Sequence, residues 1–327
     1  MSHESRRTWC VVAGIDFSQS SISALRWMQK WLLGDGKLIL ANALVVPEIQ
    51  GLLAERYPLP ESLLVNARAG ARKRLEELRG SFGIPDASIE IREGSPGDAL
   101  VQIARECAAD LIVVGKHGDG GAVRGYTGRT ADRLVRAAPA PVLVANDVMG
   151  DRPTRVIVPL TYSSVTPFIT QWAQRIHQAS GADIVATHVV GAAVLSHVLS
   201  MSTIRTGETP TSGQIDEIFS DDRDVWKNEL VAAGIPAARI TTEVVFGEVS
   251  SAVLMSASRH EADMIVMGSH AGPVRRLLLG SAASAVLRNA DIPVLVVVEP
   301  EEQETAEVDS NHASDFSPAS KFSDYVL

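Results

Sequence analysis

Two stretches of this chain say the same thing: Asp110-Leu-Ile-Val-Val-Gly-Lys-His117 returns as Asp263-Met-Ile-Val-Met-Gly-Ser-His270. They lie about 150 residues apart, the size of one ordinary domain. Each is preceded by a stretch with helical apolar periodicity, Asp98 to Ala109 and Ser250 to Ala262. Each is followed by a glycine-containing loop, a second helical stretch and a closing strand introduced by proline, Ala140-Pro-Val-Leu-Val-Ala145 and Ile292-Pro-Val-Leu-Val-Val297. Four elements recurring in one order mark an internal duplication, so whatever one half folds into, the other must closely match.

The earlier parts of the halves correspond as well. Trp9 to Asp16 and Arg155 to Thr161 are short apolar runs of strand type, ending at serines (Ser18 to Ser21, Ser163 and Ser164) suited to capping a following helix. Lys37 to Val46 and Ala182 to Val190 read as second strands, and Ile89 to Gly94 and Thr242 to Gly247 as third strands. Strands that are nearly continuously apolar and alternate with helices indicate a parallel sheet covered on both faces. The fold class is therefore α/β: two tandem doubly wound five-stranded domains, flavodoxin- or Rossmann-like, with strand order 3-2-1-4-5. The boundaries expected are residues 8–147 and 153–298, followed by an acidic disordered tail over 299–327. The closing strands carry no charge and invite pairing with a like edge, which gives either an intrachain pseudo-dimer or a homodimer.

Charge sharpens the division. The 327 residues carry a formal net charge of -9, with 46% hydrophobic and 21% charged residues, as in soluble globular proteins. From Glu299 onward eight carboxylates face the single Lys321, so the tail holds most of the excess. The body is near neutral, which argues against nucleic acid as a partner. No run approaches the roughly 18 apolar residues of a membrane span. The apolar stretch after Arg6 and Arg7 stops at Asp16 without a cleavage site and reads as a strand. Cys10 and Cys107, the two cysteines, lack metal-type spacing and read as buried thiols in a reducing, cytoplasmic setting.

In a doubly wound sheet, ligands sit beyond the carboxyl ends of the strands where the winding reverses, between strands one and four. That picks out Asp16 and the loop after Val114. The loop reads Gly115-Lys-His-Gly118-Asp-Gly-Gly-Ala-Val-Arg-Gly-Tyr-Thr-Gly128-Arg129-Thr130. Glycines let backbone N–H groups approach phosphate oxygens, and Lys116, His117, Arg124 and Arg129 outnumber Asp119. A retained structural turn explains the glycines equally well. His117 and His270 fall at matching places, where loop packing or phosphate contact suits them better than catalysis.

The spacing Gly115-x2-Gly118-x9-Gly128 after Leu-Ile-Val-Val, with an Asp ending strand one, is similar to the ATP-binding class of universal stress proteins. The resemblance runs from Trp9 to Val298 as a tandem pair and implies an adenine nucleotide alpha hydrolase-like fold. It implies that Asp16 contacts the adenosine part, that Gly115 and Gly118 line the nucleotide, and that Gly128, Arg129 and Thr130 meet the phosphates, with Mg2+ arriving only with ATP. The family has Ser or Thr where this chain has Arg129; guanidinium is a good phosphate ligand but bulkier. The second loop keeps Gly268 and the phosphate-end pair Gly280-Ser281, yet has Ala271 or a shifted Gly272, the stiffening Pro273, and one residue fewer. Thr161 replaces the acidic residue. The two sites are expected to be unequal.

Other chemistry finds no support. There is no HExxH, Cys/His array, GxSxG elbow or Walker lysine loop, and His260-Glu261 falls at a helix end where capping or solvation suits it. The stretch from Gly191 to Gly234, with Arg205-Thr-Gly-Glu-Thr-Pro-Thr-Ser-Gly213, reads as a flexible loop or a mobile lid. Phe316, Phe322 and Tyr325 give the tail the residues of a short docking motif. The function expected is a stress-response regulator or sensor that binds ATP mainly in the first half. The alternatives are a scaffold or small-ligand module acting through protein partners, and a nucleotide hydrolase or transferase.

Overall fold

The computed structural model describes residues 9–45, 61–118, 129–147, 149–269 and 280–299. Expectations for Gly128, His270 and the tail beyond Glu299 fall outside the described residues. The first half runs β1 (Cys10–Gly14), α1 (Gln19–Trp31), β2 (Lys37–Leu44), α2 (Glu61–Ser81), β3 (Ser88–Glu93), α3 (Pro96–Glu106), β4 (Leu111–Gly115), α4 (Arg129–Ala137) and β5 (Val142–Ala145). The second runs β6 (Arg155–Leu160), α5 (Thr166–Ser180), β7 (Asp183–Val190), α6 (Ala192–Thr206), α7 (Ser212–Ile218), α8 (Ser220–Ala232), β8 (Ile240–Phe246), α9 (Val249–Arg259), β9 (Met264–Gly268), α10 (Ser281–Asn289) and β10 (Val294–Val297).

The strands form one ten-stranded sheet in the order β3-β2-β1-β4-β5-β10-β9-β6-β7-β8. Each half thus has the order 3-2-1-4-5, with parallel neighbours throughout. The halves meet where β5 pairs antiparallel with β10: Val144 opposite Val294, Leu143 opposite Leu295, Val142 opposite Val296. The repeated Pro-Val-Leu-Val motif is thereby paired with its own copy about the Leu143–Leu295 position.

Strand alternation sorts the apolar side chains into two continuous cores. On one face Val11, Val113, Leu143, Leu295 and Val156 pack against α1, α2, α5 and α8. On the other Val12, Val114, Val142, Val294 and Ile265 pack against α3, α4, α9 and α10. Both cores cross the junction without a break. At about 1.5–3 kcal/mol for each fully buried aliphatic side chain, the junction strands are as strongly held as the interior of either half. Trp9 and Trp172 add a contact between halves at 5.5 Å, with the Arg175 guanidinium 3.8 Å above the Trp9 ring.

The most recognisable part of the repeat serves this architecture. The Asp110 carboxylate accepts the Cys10 N–H at 2.7 Å, fastening the start of β4 to β1. Asp263 does the same for β6, accepting the N–H groups of Thr154 at 2.9 Å and Arg155 at 3.1 Å. Two residues before each Asp, Ala108 and Glu261 take matching left-handed conformations as the preceding helices end, with φ of 48° and 50°.

Two expectations are corrected. The stretch 191–234 is helical rather than a loop or lid: α6 ends at left-handed Gly207, and Thr211 opens α7 through a reciprocal capping box with Gln214. The turn signals are real, but they mark helix ends. Ser18 caps α1 by accepting the Ser21 N–H, whereas the N-cap of α5 is Val165, which has no capping side chain, and Ser164 instead donates to Glu299 at 3.3 Å.

Because ladder and cores are shared, urea unfolding is expected to show one coincident transition by tryptophan fluorescence and circular dichroism. Leu143→Asp, placing a carboxylate in a fully buried position, should lower stability by about 4 kcal/mol and shift both signals together.

Candidate functional site

At the carboxyl edge of the sheet, the chain leaves β1 under tight constraint. Gly14 permits this: a Cβ there would lie 2.7 Å from a Leu100 methyl group, so the missing side chain lets α3 pack onto the strand. Asn42 in β2 donates to the Ile15 carbonyl at 2.6 Å, holding the strand end in place. Phe17 then adopts a left-handed conformation with φ of 65°, which is strained for an aromatic residue and persists only when the surroundings enforce it. Asp16 enforces it from one side, its Oδ1 accepting the Ser18 N–H at 3.0 Å and the Ser18 hydroxyl at 2.5 Å. Arg74 enforces it from the other, its guanidinium 3.8 Å over the Phe17 ring.

This turn presents Asp16 at the surface, beside the end of β4. A Cβ on Gly118 would stand 3.0 Å from Asp16 Oδ2, so the glycine leaves open the space in front of that oxygen. His117 lies between them through its backbone: its N–H donates to Ser20 Oγ at 3.4 Å, and its carbonyl lies 3.3 Å from Ser18 Oγ. Asp16, His117 and Gly118 are therefore brought together. Arg129 and Thr130 open α4, whose N-terminus faces the same edge of the sheet because α4 links the parallel strands β4 and β5.

Gly115 has a packing duty. A Cβ on it would lie 2.7 Å from the Ser20 carbonyl carbon and the Ser21 nitrogen, so β4 passes directly beneath the first turn of α1. Lys116 corrects the reading of the loop as a cluster of cations. It is buried, and its ammonium donates to the Ala290 carbonyl at the end of α10, across the junction. Burial holds its pKa below the ordinary lysine value, partly offset by Asp291. Asn42, missed from sequence, carried a signal as the lone polar residue within Leu38 to Leu44; Lys116 was legible only as a loop cation, and nothing local announced its reach to Ala290.

The same edge in the second half is built differently. His188, at the strand position matching Asn42, hydrogen-bonds the Leu160 carbonyl through Nδ1 at 3.0 Å. The Thr161 carbonyl accepts from Thr166 Oγ1. Tyr162, matching Phe17, lies 4.7 Å from the ring of Trp226 and 6.1 Å from that of His188. Its hydroxyl donates to Asp222 at 2.7 Å, and burial together with that carboxylate pushes the phenol well above its usual range. Gly268 ends β9, and Gly280 donates to the Ser269 carbonyl at 2.8 Å, closing the ends of the second loop just before Ser281 starts α10. An aromatic stack thus stands beside the position where the first half presents a carboxylate, a position taken here by Thr161.

Elsewhere, His260 ends α9 and contacts Glu243 at 3.2 Å, so it is paired rather than solvated. Cys10 and Cys107 are unbridged, and burial with the neighbouring Cys10 thiol pushes the Cys107 thiol up to about 11, a protonated and unreactive state. Among the described residues no cluster of His, Cys, Asp and Glu has metal-site geometry, and no helix is long and apolar enough to cross a membrane.

Comparison with known proteins agrees with this architecture. The model of the universal stress protein family matches residues 10–146 and again 153–298. A universal stress protein of Mycolicibacterium smegmatis is 26% identical over 307 residues, covering 90% of this chain and 98% of that one. One of Mycobacterium tuberculosis is 28% identical over 308 residues, covering 89% and 97%. The crystal structure of a universal stress protein from Archaeoglobus fulgidus superposes with a TM-score of 0.64 at 18% identity, covering 88% of this chain and 98% of that one.

Two measurements follow from the packing. Gly115→Ala should cost about 2 kcal/mol of stability without any ligand, read as a lower urea midpoint, because the new methyl meets α1 backbone. For Lys116 the folded pKa is lowered, so the unfolded chain binds the proton more tightly. Its contribution to stability should then rise with pH towards the ordinary lysine value near 10.5, and Lys116→Met should lose that alkaline gain in urea midpoints taken at neutral and alkaline pH.

Proposed function

We propose, for a chain that belongs to the universal stress protein family, that the first half binds an adenine nucleotide, ATP, and that the protein acts as a cytoplasmic stress-response regulator or sensor rather than as a metabolic enzyme. The observation that carries this reading is the Asp16–Gly118 arrangement: an exposed carboxylate on a strained, fully braced turn, facing a position where any side chain would intrude. A carboxylate oxygen so placed accepts hydroxyl hydrogens of the kind a ribose supplies. The Gly115 to Gly118 backbone would line the nucleotide. Gly128, Arg129 and Thr130 would meet the phosphates at the start of α4, with Mg2+ arriving on the nucleotide, and His117 would support the loop.

Strain at Phe17 supports binding rather than bare architecture. Architecture alone does not require it, because Tyr162 makes the matching turn without a left-handed conformation. A regulatory role fits a carboxylate already committed to Ser18 through one oxygen and a histidine whose backbone makes the loop contacts. In the second half Thr161 stands where the carboxylate would be and the turn beside it is held by the stack of Tyr162, His188 and Trp226, so Gly268, Gly280 and Ser281 serve as a retained structural frame. One nucleotide per chain is the expected stoichiometry.

Titration calorimetry tests this. Wild-type protein should bind one equivalent of ATP. Asp16→Ala should weaken binding about tenfold, the cost of losing a hydrogen bond to a charged group, and Gly118→Val should abolish it while leaving the urea midpoint nearly unchanged. Absence of heat with the wild type would remove the nucleotide reading. Sustained turnover near the ordinary enzyme rate of about 10 per second would remove the regulator reading.

A further inference from the structure

The helix α6 has the composition of a core helix and the surroundings of a surface one. Among its described side chains Arg205 is the lone charge, and not one of them is buried. Val194 is 50% exposed, Met201 40% and Ile204 78%, while Leu195, Val198 and Leu199 are half-buried beneath them. Helices in water are held chiefly by burying an apolar face, and a contiguous exposed apolar strip marks an interaction surface.

The size of the strip limits its partner. A helix of 15 residues is roughly 22 Å long, so one exposed side offers roughly 200 Å², far below the ~800 Å² per partner of a stable interface between separate molecules. A segment tethered to the same chain needs far less contact, because the tether supplies an effective concentration on the order of millimolar.

Such a segment starts close by. Glu299 follows β10 and accepts from Ser164 in the turn after β6. Strands β10, β9, β6 and β7 are consecutive parallel neighbours, so the chain leaves β10 on the edge where α6 leaves β7, about three strand spacings or ~14 Å away. The charge pattern supplies a spacer and a docking end. Seven carboxylates lie between Glu299 and Asp315, while in residues 316–327 Lys321 and Asp324 cancel among Phe316, Phe322, Tyr325 and Leu327. A random coil of the length of residues 300–315 would span about 22 Å on average. The helix itself bears no carboxylate to repel the spacer.

We propose that residues 316–327 dock, within the same chain, on the exposed apolar face of α6, with the acidic stretch as a solvated spacer. This is independent of nucleotide binding. Full-length protein carrying Phe322→p-benzoylphenylalanine is irradiated, and the cross-linked peptides are mapped by mass spectrometry. Links within one chain to residues 192–206, independent of protein concentration, are expected. Ile204→Asp should lower their yield about tenfold, the worth of one buried aliphatic side chain, without moving the urea midpoint. Links to α6 of a second copy, links elsewhere, no link to α6, or a yield indifferent to Ile204→Asp would overturn the proposal.

Discussion

Antiparallel pairing of β5 with β10 is the constraint from which the rest of the molecule follows. Each half, taken alone, would end in a short strand without a charged side chain, Val-Leu-Val-Ala or Val-Leu-Val-Val. Such edges recruit other strands. Placing the two copies against each other satisfies both ladders and lets two apolar cores run through the junction. The outer edge at β3 is treated differently: it carries Glu90, Arg92 and Glu93, charges that discourage further pairing. The duplication therefore specifies an inside and an outside of the sheet as well as two similar halves.

Once the halves are fused through that pairing, they are free to diverge at their carboxyl edges. The first keeps an acidic residue on a strained turn, with open space before Gly118. The second replaces acid by Thr161 and fills the neighbourhood with Tyr162, Trp226 and His188. Lys116 ties the first half's carboxyl edge to the amino edge of the second half, since β5 and β10 are antiparallel and its ammonium reaches the Ala290 carbonyl where α10 ends ahead of β10. The matching residue in the second loop is Ser269, too short to return the contact. The edge proposed as a site is thus the first half's, held by a contact that the second half does not return.

The architecture was legible in the sequence because it rests on periodicity and repetition, which a chain displays without reference to distant partners. Strand order and the self-pairing of the Pro-Val-Leu-Val strands both follow from that. Asp16 and Gly118 could be placed together because strands one and four are neighbours in such a winding. What escaped depended on direction in space. Lys116 read as a loop cation and turned out to face the other half, and Gly115, read as lining a ligand, also makes room for α1. The turn residues Gly207 and Thr211 suggested a loop, although the same residues end one helix and start the next; only the surrounding backbone tells the two apart. The aromatic stack of the second half draws on the turn after β6, on β7 and on α8, residues far apart in the chain, and no local pattern announced it.

The duplicated fold is proposed to carry one nucleotide site and one structural counterpart. A crystal structure of the full chain grown with a non-hydrolysable ATP analogue tests it most directly. Nucleotide density is expected in the first half, with the ribose against Asp16 and the chain passing Gly118, and an undisturbed Tyr162–Trp226 stack in the second. Density in the second half with the stack displaced, or equal density in both halves, would contradict it.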